Sequence, residues 1–355
     1  MRSLIFANQG LGDVVMAVPT IRAMAASEGD EVLVLVKSDL EAQLVALATH
    51  GDTKIVMCAL RVSGEGRFHK LWRILRLVRA FRPDVSLVTG DVHPGLAGVL
   101  SIASNAPVRI GPETGPFQFL YTRTVVTSPY IHKVHFNAKV SEAAGRTAPH
   151  DISIAVPKGE AAAASRKFDL GIAGPRIAVA LGSGVAEAHK RLPETRAAAL
   201  VSKLVAAVPG ARILLLGTQL EGTLNARIAA LFPEQTVDLS SRTSLRELVA
   251  VLSLSDVLVT TCNGISHLGA AVGLPIVGLY GPTSPLRTGA FSTGLRVVSR
   301  RLQCSPCYRR GYTQGCGNPI CMELDVDAIF TTICEVTQGG TSRVGSLKQS
   351  GSTGR

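Results

Sequence analysis

Residues 6–19, FANQGLGDVVMAVP, set Gly10 and Gly12 just ahead of a carboxylate, Asp13, behind a short apolar run. A dinucleotide-binding turn needs a third glycine, G-x-G-x-x-G, for close helix–strand packing. Val15 stands at that position and would crowd it. What the stretch offers instead is Asp13, either as a general base toward a substrate hydroxyl or as the cap of a helix starting at Val14.

A second reactive stretch is DVLVTTCNGISHLGAAVGLPIVGLYGPTSPLRTG, Asp256 to Gly289. A strand running into Cys262-Asn263-Gly264, with Ser266 and His267 in the first helical turn, presents a helix N-terminus at the carboxyl edge of a sheet. Its amides and dipole suit a phosphate. The plain alternative is that Asn263 caps the helix and His267 packs. Lys190, in GSGVAEAHKRLPE, adds an ammonium after a strand-like run that ends near Gly182 and Ser183. It suits a leaving diphosphate, or a solvated basic loop ahead of a helix near Pro193. Four of the seven cysteines, Cys304, Cys307, Cys316 and Cys321, fall within 18 residues. Four thiolates fit tetrahedral zinc or one iron; buried or free thiols and disulfides are the other readings.

The elements that must hold these groups alternate. SLIFA, EVLVLV, KIVMC and DVSLVTG read as strands separated by helical patterns, the first helix running from about Val14 to Ser27. RIAVALG, RILLLG, QTVDL, DVLVTT and PIVGLYG repeat the scheme, with helices near Pro193, over about Thr223–Leu231, at Thr243–Ser244 and from Gly264. Such alternation predicts parallel sheets with crossover helices. A chain of 355 residues exceeds what one core usually fills, so two α/β domains are expected. We set them at residues 1–165 and 166–337, with residues 338–355, rich in Gly and Ser, as a disordered tail.

With 46% hydrophobic and 18% charged residues the chain is a globular protein. Its net charge of +11 favours anionic partners. No apolar run is long enough to span a membrane, and the first one is too short for a secretory signal, so a cytoplasmic protein with reduced cysteines is expected. The segment GRFHKLWRILRLVRAFRP places Phe68, Leu71, Leu75 and Val78 on one helical face, with Lys70, Arg73 and Arg76 turned away. That face reads as a packing stripe, and the basic side as a surface for anionic lipid or a phosphorylated acceptor.

GLGDVVMAVPTIRAM, HKRLPE, NGISHLGAAVGLPIVGLYGPTSPLRTG and CSPCYRRGYTQGCGNPICM, in this order and spacing, resemble glycosyltransferase family 9, the heptosyltransferases of lipopolysaccharide assembly. The resemblance implies a GT-B architecture of two Rossmann-like domains facing each other across a cleft. The first domain would take a glycan or glycolipid acceptor and the second a nucleotide-diphosphate sugar, ADP-heptose above all. Transfer would invert the anomeric centre with no cofactor required, at the inner face of the cell membrane. It implies Asp13 as base and Lys190 on the donor phosphates, with Ser183, Glu221, Thr243, Asn263, Gly264, Ser266 and His267 on the donor and Gly10, Gly12, Arg61 and Arg67 on the acceptor side. The family pattern Asp-Thr/Ser-Gly-x-x-His has Cys262 in place of its acid here.

Two other readings stand beside it. One is a nucleotide-sugar binder of the same fold without catalysis. The other is a basic, metal-stapled nucleic-acid-binding protein, against which the chain carries only 5% aromatics and no base-reading helix.

Overall fold

A computed structural model describes residues 1–61, 64–113, 115–171, 174–307 and 318–338. The chain divides into two compact units, Met1–Ala155 and Val156–Arg355.

In the first unit the order is β1 (Arg2–Ala7), α1 (Leu11–Met24), β2 (Glu31–Val36), α2 (Asp39–Ala48), β3 (Ile55–Ala59), α3 (Arg67–Phe81), β4 (Val85–Val88), α4 (Pro94–Ala103), β5 (Val108–Pro112), β6 (Arg123–Val125) and α5 (Lys133–Ala143). The strands form one parallel sheet ordered β3-β2-β1-β4-β5-β6. Helices cover it, so β1 and β2 are apolar on both faces, and Leu4, Ile5, Leu33 and Val34 are buried side by side.

The second unit contains α6 (Glu160–Lys167), β7 (Arg176–Ala180), α7 (Glu194–Ala207), β8 (Arg212–Leu215), α8 (Gln219–Leu231), β9 (Thr236–Asp238), α9 (Leu245–Leu254), β10 (Val257–Thr261), α10 (Gly264–Ala271), β11 (Ile276–Leu279), α11 (Pro285–Thr288), β12 (Leu295–Val298) and α12 (Val326–Gln338). Its parallel sheet runs β12-β11-β10-β7-β8-β9. Counted within the unit this repeats the order of the first. In each, the chain reverses its winding between the first and fourth strands, β1 and β4 or β7 and β10. The carboxyl ends of those strand pairs form the crevice where such sheets bind ligands.

The units part at Ala155–Val156, within ten residues or so of the 165/166 boundary set from the sequence, and α6 packs on α9 of the second sheet. Two expectations are corrected. Helix α1 starts at Leu11, not Val14, with Gly10 as its N-cap. In α3 the packed residues are Ile74 and Val78, with Leu75, Leu77 and Phe81 beside them, whereas Phe68 is 91% exposed and Leu71 47%. The stripe therefore begins a turn and a half later than its sequence pattern indicates. Gln338 ends α12; the rest of the proposed tail lies outside the described residues. Among the described residues no helix is long and apolar enough to cross a membrane.

Candidate active site

In the first unit, β1 delivers the chain into Gly10 and then into α1. Asp13 is the third residue of that helix and makes no capping bond; its amide donates to Gly10 O at 3.0 Å. Its Oδ1 accepts instead from Lys133 Nζ at 2.6 Å. The same ammonium lies 2.8 Å from Asp91 Oδ2, in the loop after β4. Asp13, in the first turn of the helix after β1, and Asp91, in the loop after β4, thus lie past the carboxyl ends of the two strands that flank the winding reversal. Lys133 reaches them from the first turn of α5.

The lysine is buried, with both carboxylates partly open to solvent. Burial alone would push its pKa down, but the charges of and hydrogen bonds to Asp13 and Asp91 outweigh this and raise it above its ordinary value. Asn137 fastens the arrangement. Its Oδ1 accepts from Gly90 N–H at 2.8 Å, its Nδ2 donates to Met16 O at 2.9 Å, and its own carbonyl accepts from Thr20 Oγ1 at 2.8 Å. Gly90 adopts φ +56°, a left-handed conformation that favours glycine, beside the Asp13 carboxylate.

A cavity of ≈ 750 Å³ opens in the same unit, walled by Asn8, Gln9 and Gly10 on one side and by Lys37, Arg61 and Lys70 on another. Leu71 and Ile74 of α3 and Leu96 and Leu100 of α4 complete it. A Cβ added at Gly10 would meet nothing within 4 Å, so the backbone there faces open space. Three cations, polar Asn8 and Gln9, and an apolar remainder suit an anionic ligand with apolar parts. Arg61, expected on the acceptor side, is exposed at this wall. Arg67 opens α3, and its side chain lies outside the described structure.

In the second unit two of the expected donor residues, Asn263 and Glu221, meet at Gly182, just past β7. Asn263 Nδ2 donates to Ala180 O and to Gly182 O, both at 3.0 Å, and Thr261 Oγ1 donates to Gly182 O at 2.6 Å. Glu221 lies over the same glycine, where an added Cβ would come within 2.3 Å of its carboxylate. Its other oxygen closes a capping box on α8, accepting from Thr218 N–H at 2.8 Å, so that helix starts at Gln219 rather than near Thr223. Ser183 Oγ donates to Glu187 O at 2.7 Å. Thr243 sits between β9 and α9, and among the described residues no hydrogen bond joins it to the Gly182 group.

Lys190 is buried and pairs with Glu187 Oε1 at 2.5 Å, so a donor phosphate would share or replace that carboxylate. Next to it, His189 has its pKa lowered by burial and by the Lys190 charge. The amide cradle expected across Asn263–Ser266 is partly closed. Asn263 Oδ1 accepts from Ile265 N–H at 2.9 Å and Ser266 N–H at 3.2 Å, leaving the Asn263 and Gly264 amides for an anion. Ser266 and His267 are both buried, and Ser266 Oγ donates to Asn263 O at 2.6 Å. Ser266 thereby helps to build the turn.

A model of glycosyltransferase family 9 (heptosyltransferase) matches residues 97–316, more than half of the sequence. The chain belongs to glycosyltransferase family 9. Lipooligosaccharide heptosyltransferase 2 of Haemophilus influenzae is 31% identical over 113 residues, 31% of this chain and 32% of that protein. Lipopolysaccharide heptosyltransferase 2 of Escherichia coli is 31% identical over 147 residues, 40% of this chain and 41% of that one. The matched segments thus span a third to two fifths of these relatives. The solved structure of Escherichia coli ADP-heptose LPS heptosyltransferase II resembles the fold with a TM-score of 0.70 at 19% identity, over 94% of this chain and 99% of that one.

Within the family 9 pattern, Cys262 stands where an acid is usual. It is buried, its Sγ 3.8 Å from both Thr288 O and Thr288 Oγ1. It also neighbours Tyr280, whose hydroxyl accepts from Ala290 N–H; burial and then Cys262 raise the Tyr280 pKa. Of the four clustered cysteines, Cys304 and Cys307 are exposed, Cys321 is buried against Gly281, and Cys316 lies outside the described residues.

Sequence reasoning missed Asp91 and Lys133. Asp91 carried a signal, an acid directly after a strand in DVSLVTGD, which the strand order turns into a site position. Lys133 carried none, since 120 residues separate it from Asp13.

Proposed function

We propose that this family 9 chain is an inverting heptosyltransferase that moves heptose from ADP-heptose to a lipopolysaccharide-core-like glycan. The observation that carries the reading is Asp13. One of its oxygens is held by Lys133, and Oδ2, with no partner among the described residues, is open for a substrate hydroxyl. Asp13 accepts the proton of the acceptor hydroxyl, and that oxygen attacks the anomeric carbon from the face opposite the diphosphate. The bond to the leaving oxygen breaks with its electron pair, and configuration inverts. Lys190 offsets the charge that builds on the departing ADP. The names of the relatives support the heptose and ADP parts of this reading.

The acceptor occupies the basic cavity beside Gly10, where Lys37, Arg61 and Lys70 meet its anionic groups. A lipid-linked acceptor explains a further feature of that wall. Phe68 and Trp72, on the first turns of α3, are 91% and 58% exposed next to the cavity residue Leu71. Helix α3 carries five Arg or Lys and no acid, with the Arg76 guanidinium 5.2 Å above the Trp72 ring. We place an anionic bilayer surface there, aromatic side chains entering the headgroup layer and basic ones meeting its charge.

A panel of ADP-, GDP- and UDP-sugars, read by thermal shift and by hydrolysis, tests the donor. ADP-heptose should stabilise the protein most. A preference for UDP-sugars would overturn the heptose assignment.

A further inference from the structure

We propose that Lys133 is a positioning residue for Asp13, and that Asp91, by cancelling the charge of Lys133, sets how readily Asp13 takes up a proton. The proposal rests on the reading of Asp13 as the base.

The geometry supplies two carboxylates on one ammonium, at 2.6 Å and 2.8 Å, a cluster with one net negative charge. A cation this close lowers a carboxylate's proton affinity by roughly 1–3 pH units. Asp91 acts with the opposite sign. It also keeps Lys133 paired after Asp13 has accepted the acceptor's proton, so the buried ammonium is never left alone. The three groups come from α1, the loop after β4 and α5. From its place on α5, Asn137 bonds to the other two segments, at Met16 O and Thr20 Oγ1 on α1 and at Gly90 N–H in the loop. Their spacing is thereby built into the fold.

The other titratable groups on the elements packed around this cluster have contacts of their own. His93 Nδ1 accepts from Leu96 N–H, His132 Nδ1 from Val134 N–H, and the His135 ring stands 4.4 Å from that of His150. Arg22 donates to Ala48 O and Ser153 O, and Glu41 accepts from Ser38. Asp39, Lys139 and Glu142 are exposed or half-exposed on their helices.

The test is the pH profile of transfer from ADP-heptose to truncated lipopolysaccharide-core acceptors, where activity falls on the acid side as the base becomes protonated. Asp91→Asn should move that limb down by about one pH unit, and Lys133→Met should move it up by about one. Lys133→Arg should hold the wild-type limb at reduced rate. Limbs that stay in place, or move in the same direction, in variants that keep the wild-type melting temperature would overturn the proposal, because a purely structural role gives no opposed shifts. If Lys133→Met does not fold, Asp91→Asn decides alone, and an unmoved or upward limb refutes. Failure of the base reading looks different: Asp13→Asn would then still turn over.

Discussion

Lys133 Nζ donates to Asp13 Oδ1 at 2.6 Å, joining the first turn of α5 to the first turn of α1. That contact answers whether Asp13 only caps a helix. Gly10 is the cap, and the carboxylate is turned sideways onto a buried cation. The reaction proposed here depends on this orientation.

The bilayer surface is directly readable, because Trp72 is the only tryptophan in the sequence. Vesicles containing phosphatidylglycerol should shift its emission to the blue, and neutral phosphatidylcholine vesicles should not. Phe68→Ser should weaken the effect, as should high salt. An unshifted spectrum with anionic vesicles, or concentration-dependent dimerisation that buries Trp72 without lipid, would remove the bilayer as the occupant of this face.

Lys190→Ala should lower kcat about 10²–10³-fold, the range for removing one group that stabilises developing charge. Steady-state kinetics with varied ADP-heptose checks this. A rate within threefold of wild type would return Lys190 to the purely local pair with Glu187.

Asn263 both caps α10 and clips β10 to the end of β7. Asn263→Ala should cost about 2 kcal/mol, roughly one for the cap and one for the cross-strand bonds, seen as a lowered unfolding midpoint. Asn263→Asp keeps the acceptor of the cap but turns a carboxylate oxygen onto the Ala180 and Gly182 carbonyls, so its midpoint should also fall below that of wild type.

Asp30 gives a pH-dependent contribution. Burial would raise its pKa, but Ser27 N–H and the Arg146 guanidinium, 2.9 Å away, outweigh it and hold the value below the ordinary one. A depressed native value means stability that is present above about pH 4, the unfolded value, and lost as pH falls through the folded one. Asp30→Asn should therefore be less stable than wild type at pH 7, with the gap closing at strongly acid pH. Denaturant melts across pH 3–7 measure it.

Much of this was legible in the sequence, for identifiable reasons. The β1, β2, β7 and β10 runs are largely apolar rather than alternating because both sheet faces are covered, and they stand out wherever such burial occurs. Asp13, Asn263 and Gly264 lie within a few residues of those strands' ends, so local pattern located them. The start of α1 was misjudged because a glycine N-cap leaves no side-chain signal. The α3 stripe was misjudged because helical period cannot tell packed Ile74 from exposed Phe68. Lys133 became visible only when the sheet order brought α5 against α1.

The central claim is that the Asp13 carboxylate is the base of sugar transfer. Its most direct test is product formation from ADP-heptose and a truncated lipopolysaccharide-core acceptor by Asp13→Asn, a near-isosteric change that leaves Lys133 paired with Asp91. Transfer should fall below detection while ADP-heptose still raises the melting temperature as it does for wild type. Turnover within about tenfold of wild type in the folded variant would contradict the account.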